Sequence, residues 1–120
     1  MPQKHKTIAV LMGGKSSEAD ISLRTGAAIV KGLTEAGYKA IPVELSKKDN
    51  SFTLPQGTEA VYIALHGAFG EGGYVQKQLA EMAMPYTGCN EAASRIGFDK
   101  VLSRNAFAAN GVTIPKGYVI

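Results

Sequence analysis

The chain has 120 residues, of which 45% are apolar and 19% charged, and its formal net charge is +3. That length makes one domain able to bury roughly two-thirds of its unfolded surface, and the lone Cys89 excludes an internal disulfide. The basic residues are dispersed without interleaved aromatics and no stretch approaches the ~20 apolar residues of a membrane helix, so neither a nucleic-acid nor a membrane partner is expected.

Thr7 to Met12 is a short apolar run, the pattern of a strand buried on both faces. Gly13-Gly14-Lys15-Ser16-Ser17 breaks it with small, hydrogen-bonding residues, and Ser16 or Ser17 suits a helix cap. From Asp20 to Ala36 the period lengthens, with Leu23, Ala27, Val30 and Leu33 at helical spacing and Gly37 as C-terminal cap. Lys39 to Leu45 has the length of a second strand, and the polar Ser46 to Gly57 reads as a surface connection. Ala60 to Leu65 is the next buried strand, rich in β-branched and aromatic side chains.

His66 to Gly73 is a glycine-rich loop, followed by a short helix whose apolar face is Val75, Leu79 and Met82. Glu71 suits a cap for that helix, which starts near Tyr74. Pro85-Tyr86-Thr87 reads as the last parallel strand, closed by Gly88. Asn90 caps a brief helix over Glu91 to Ile96, and Asp99 opens another carrying Leu102, Ala106 and Ala109, closed by Asn110-Gly111. Val112 to Ile120 is extended and interrupted by Pro115. An apolar strand without a polar tail suggests that more protein follows, with a sheet-edge strand as the alternative.

This order predicts an α/β domain over residues 1–120 with a mostly parallel sheet of about four strands flanked by helices. The apolar run from Ile8 to Met12 is too short for the core of a signal peptide, so a cytoplasmic location is expected.

In such sheets ligands gather beyond the carboxyl ends of the strands, where Gly13 to Glu18 should lie. Gly13 and Gly14 let backbone approach a ligand, yet the spacing matches neither G-x-G-x-x-G nor a P-loop. A carboxylate at Glu18 would repel phosphate and bind a substrate ammonium group. The competing reading is that Glu18 and Asp20 merely complement the helix dipole, worth ~0.3–1 kcal/mol each. His66 ends a buried strand on the same rim, placed either to hydrogen-bond a substrate carboxylate or to order the glycine loop. Asp99 reads as an N-cap. Lys100 opposes the dipole of the helix it begins, which points to an anionic partner such as a nucleotide phosphate, or to an ordinary surface lysine. Cys89 has no partner cysteine and His5 lies outside any cluster, so neither a thiol nucleophile nor a metal site is expected.

Several segments together resemble the D-alanine–D-alanine ligase family: Ile8 to Gly14, Ser17-Glu18 with Ile21-Ser22-Leu23, Gly26-Ala27-Ala28, Ala64-Leu65-His66-Gly67, Gly70-Glu71, Pro85-Tyr86-Thr87-Gly88 and Asp99-Lys100. Their order covers nearly the whole chain and resembles the family's N-terminal domain, the three-layer Rossmann-like lobe that precedes the ATP-grasp lobes. The resemblance implies an enzyme that phosphorylates one D-alanine carboxylate with MgATP. The amine of a second D-alanine then attacks the acyl phosphate, giving a dipeptide for peptidoglycan, the cell wall and cell shape. It implies that Glu18 holds the first D-alanine's ammonium group, Ile21 packs near its methyl, His66 lies beside its carboxylate, and Lys100 reaches toward ATP phosphate. Glu18 and His66 are thus the catalytic candidates, and Gly13 and Gly14 join Glu18, Ile21 and His66 as expected substrate-binding residues. Gly72 stands where the family has aspartate, Ala19 where arginine is frequent, and Cys89-Asn90 where a serine is common, which bears on loop ordering and rim contacts.

Nothing in the sequence supplies ATP-grasp lobes, magnesium-binding carboxylates or an adenine pocket. The expectation is a lobe complete in fold, inactive alone, with D-alanine and ATP as partners and a homodimer as its assembly. The alternative is a free-standing amino-acid, anion or partner-binding module without catalysis. D-lactate as second substrate rests on residues outside this stretch.

Overall fold

The computed structural model describes residues 6–117. His5 and the end of the last extended stretch, from Tyr118 to Ile120, lie outside the described residues.

The first strand, β1 (Thr7–Gly13), is central. Its apolar run is buried on both faces, with Ala9, Val10 and Leu11 fully shielded. The period of two sorts these side chains. Ala9 and Leu11 join Leu45, Val61, Leu65, Val75 and Leu79 on one face. Val10 and Met12 pack on the other against Leu23, Ile29, Val30 and Leu33 of helix α1 (Ala19–Glu35). Gly26 makes the close approach possible, since a Cβ there would lie 2.5 Å from Met12 Cε. The expected Ala27 is exposed and Ile29 takes its place in the core. Helix α1 ends as expected at Gly37: Gly37 N–H donates to Thr34 O and Tyr38 N–H to Leu33 O, both at 3.0 Å, a Schellman closure.

Strand β2 (Lys39–Leu45) then pairs parallel with β1, Thr7 opposite Lys39 through Gly13 opposite Leu45. It is an edge strand, which is why Pro42 is tolerated in it. The connection from Ser46 to Gly57 does more than cross the surface, because Phe52 and Leu54 cover the core. Strand β3 (Ala60–Ile63) pairs parallel on the other side of β1, giving the order β2-β1-β3. It stops before the expected Leu65 because the Ala64 carbonyl accepts from the Ser22 hydroxyl instead of continuing a ladder.

The glycine-rich loop is not bare: it contains a one-turn helix, α2 (Ala68–Glu71). Helix α3 (Tyr74–Glu81) follows, with Val75 and Leu79 fully buried, each side chain worth about 1.5–3 kcal/mol. Met82 is 49% exposed, and the half-buried Met84 packs on the core. Among the described residues the sheet has three strands, not four. Near the expected fourth, only Tyr86 bridges Val61, with Val61 N–H donating to Pro85 O and Thr87 N–H to Val61 O. The next rung is taken by a side chain, Ile63 N–H donating to Thr87 Oγ1 at 3.0 Å, and the ladder ends there. Counting α1 on one face and α3 on the other, the architecture is three-layered.

Helix α4 (Glu91–Phe98) runs two residues beyond its expected end, capped by Asn90 Oδ1 accepting from Ala93 N–H. Asp99 caps α5 (Lys100–Ala109) through Val101 N–H and Leu102 N–H. Helix α5 packs on α4 and has no buried residue. The described part of the final stretch, 112–117, forms no strand.

Candidate functional site

The strand order reverses between β1 and β3, and the crevice beyond their carboxyl ends is the expected ligand position in an open parallel sheet. Three segments meet there: the turn after β1, the start of α1, and the loop after β3.

The turn is built on Gly13 and Gly14, both buried and both with positive φ, 79° and 90°. A side chain at Gly14 would place its Cβ 2.5 Å from Asn50 Oδ1, the oxygen that accepts Lys15 N–H at 2.7 Å. The space beside Gly14 is thus filled by the chain's own Asn50, a residue the sequence pattern did not single out. Ser16 does not cap α1; its hydroxyl accepts Glu18 N–H at 3.0 Å and closes the turn ahead of the helix. Glu18 takes the N-cap position without a side-chain cap bond, leaving its carboxylate exposed.

His66 follows the end of β3 and is half-buried. Its Nε2 lies 3.4 Å from Thr25 Oγ1, and that hydroxyl donates to Ile21 O at 3.0 Å. Thr25 thus buttresses one side of the ring, with donor and acceptor roles in that contact set by the ring's tautomer. Glu71 does not cap α3, whose N-cap is Gly73 without a side-chain bond. Its Oε1 accepts Gly67 N–H at 2.7 Å, folding the carboxylate back over the loop.

Glu18, His66 and Glu71 converge: a ring nitrogen and one oxygen of each carboxylate lie within 4.8 Å of one another. Among the described residues the sole ion pair is Arg95–Glu91, so neither carboxylate of this group has a cationic partner. Two uncompensated carboxylates with an imidazole suit a cation carrying several donors, such as a primary ammonium, while α1's N-terminus favours negative charge on Glu18. Ile21 lies one turn further along α1, 55% exposed. Lys100 is not gathered here. It lines a separate cavity of about 520 Å³ with Arg104 and Phe107. Two cations in that cavity fit a phosphate, but among the described residues no carboxylate group accompanies them to hold magnesium.

No family model matches the chain. The chain is 40% identical over 111 residues to the D-alanine–D-alanine ligase of Geobacter sulfurreducens, covering 92% of this chain and 35% of that protein. It resembles D-alanine–D-alanine ligases along nearly its whole length. The ligase of Syntrophotalea carbinolica is 41% identical over 112 residues, 93% of this chain and 37% of that protein. The crystal structure of the Bacillus anthracis ligase complexed with ATP superposes with a TM-score of 0.81 at 32% identity, covering 93% of this chain and 37% of that one. This chain therefore spans little more than a third of the length of the ligases it matches. The α/β fold with its parallel sheet is shared with those ligase structures. Among the described residues no helix is long and apolar enough to cross a membrane.

Proposed function

We propose that the chain is the N-terminal substrate-binding lobe of an ATP-dependent D-alanine–D-alanine ligase. The observation that carries this reading is the convergence of Glu18 and His66 at the switch point of the sheet, on a chain similar to such ligases throughout. In it, Glu18 takes the ammonium group of the first D-alanine, with the Glu71 carboxylate beside it. His66 hydrogen-bonds the carboxylate that becomes activated, and Ile21 packs near the methyl. Gly13 and Gly14 hold the rim in shape. Lys100 reaches toward ATP phosphate, with Arg104 in the same cavity.

MgATP supplies the phosphoryl group that activates the first D-alanine's carboxylate for attack by the second amine. The lobe's own contribution is orientation, which converts an encounter of two amino acids into an aligned reaction. Stabilising phosphoryl charge needs metal and cationic groups beyond those of this lobe. The dipeptide serves peptidoglycan synthesis, and with it the cell wall and cell shape, in the cytoplasm, with a homodimer as the assembly. The isolated chain mixed with MgATP and D-alanine is expected to release no phosphate above a protein-free control. Release proportional to chain concentration would overturn the lobe reading.

A further inference from the structure

The group formed by Glu18, His66 and Glu71 has a second chemistry, independent of the ligase reading. One imidazole nitrogen and two carboxylate oxygens, all within 4.8 Å of one another, are the donor set of a borderline divalent cation. A tetrahedral zinc ion with bonds of about 2.0–2.1 Å holds its ligands roughly 3.3 Å apart. Closing from 4.8 Å asks for a shift of roughly 1.5 Å shared among three side chains, two of them exposed glutamates free to rotate.

Two contacts orient the side chains of this group. Glu71 Oε1 is anchored by Gly67 N–H at 2.7 Å, which orients the carboxylate and leaves Oε2 for an ion. Thr25 Oγ1 stands 3.4 Å from His66 Nε2 and is itself fixed by its bond to Ile21 O, a contact outside the ligand set that steadies the ring. Magnesium and calcium favour all-oxygen shells completed by water, whereas the imidazole nitrogen of His66 favours an ion of the zinc class. Three protein ligands leave a fourth position for water.

We propose that Glu18, His66 and Glu71 form a binding site for one divalent transition-metal ion of the zinc class. On the ligase reading an amino-acid ammonium group uses the same carboxylates, so metal and amino acid would then exclude one another.

The test is titration of the 120-residue chain with cobalt(II) as a spectroscopic stand-in for zinc, in a His5→Gln, Cys89→Ser background that removes the other soft donors. The expected result is one equivalent bound with the intense visible absorption of four-coordinate cobalt, displaced by zinc. Glu18→Gln, an exposed isosteric change, should weaken binding at least about tenfold, as should Glu71→Gln and His66→Ala; Thr25→Val should weaken it about tenfold without abolishing it. Circular dichroism identifies variants that remain folded, and Glu18→Gln decides the matter if others do not. No saturable binding, the weak spectrum of six-coordinate cobalt, or affinity unchanged in Glu18→Gln would overturn the proposal.

Discussion

The hydroxyl of Ser22 donates to the carbonyl oxygen of Ala64 at 2.6 Å. The same Oγ accepts the amide proton of Gly13 at 2.9 Å. One side chain, 1% exposed, thus ties the first full turn of α1 to the carboxyl ends of β1 and β3, where the candidate site opens. Ser22→Ala should leave a buried N–H and a buried C=O without their partner. At about 1–3 kcal/mol for each orphaned group, an overall loss of about 2 kcal/mol or more is expected. Urea unfolding of the two proteins checks this; equal midpoints would remove Ser22 from its role.

Gly14 and Asn50 form a second brace. Gly14→Ala imposes a positive φ on an L-residue and a contact of 2.5 Å with Asn50 Oδ1, for an expected loss of about 1–3 kcal/mol. Asn50→Ala removes the acceptor of Lys15 N–H and should lose about 0.5–1.5 kcal/mol. Asn50 and Gly14 share this contact, so the double variant should lose less than the sum of the singles. Additive losses would mean that the two do not interact.

Asp49 gives the loop an acid dependence. Its carboxylate accepts from the Ser51 side chain and backbone, which hold its pKa below 3.8. A folded-state pKa below the unfolded one stabilises the fold above the unfolded value, and that contribution is lost as pH falls through the lowered one. Asp49→Asn should therefore flatten the acid limb of a stability profile below about pH 4 and leave its slope at neutral pH unchanged. An unaltered acid limb would show that the limb comes from other carboxylates.

Within a complete ligase carrying this lobe, Glu18→Ala should raise the Michaelis constant for the first D-alanine by about 10–100-fold, the worth of one charge-assisted hydrogen bond. Glu71→Gln should raise it by less, because its Gly67 contact survives in the amide oxygen. Steady-state kinetics at both amino-acid sites checks the order. An unchanged constant for Glu18→Ala would refute its assignment to the ammonium group.

What the sequence makes legible is what periodicity and capping encode. The both-face burial of Ala9 to Leu11, the stripe of Leu23, Val30 and Leu33, and the caps Asn90 and Asp99 all have local chemical causes, and the structure has them in place. The candidate site was half legible. Glu18 and His66 stand out because they follow strand ends, but Glu71 reads as a cap for the helix after it until its bond back to Gly67 is seen. Ser22 and Asn50 carry no pattern of their own. They act across long sequence separations, on Ala64 and Lys15, and a small polar residue advertises no such partner. The expected fourth strand failed for a similar reason: the Thr87 hydroxyl supplies the acceptor that a ladder carbonyl would.

The central claim, that this chain serves as the amino-acid lobe of a ligase, is tested most directly by a chimera. Residues 6–117 would replace the matching third of the Geobacter sulfurreducens ligase, and phosphate release would be measured with MgATP and D-alanine. The account predicts D-alanine-dependent release with dipeptide formation, abolished or strongly weakened by Glu18→Ala. A folded chimera without D-alanine-dependent release, or one indifferent to Glu18→Ala, would contradict it.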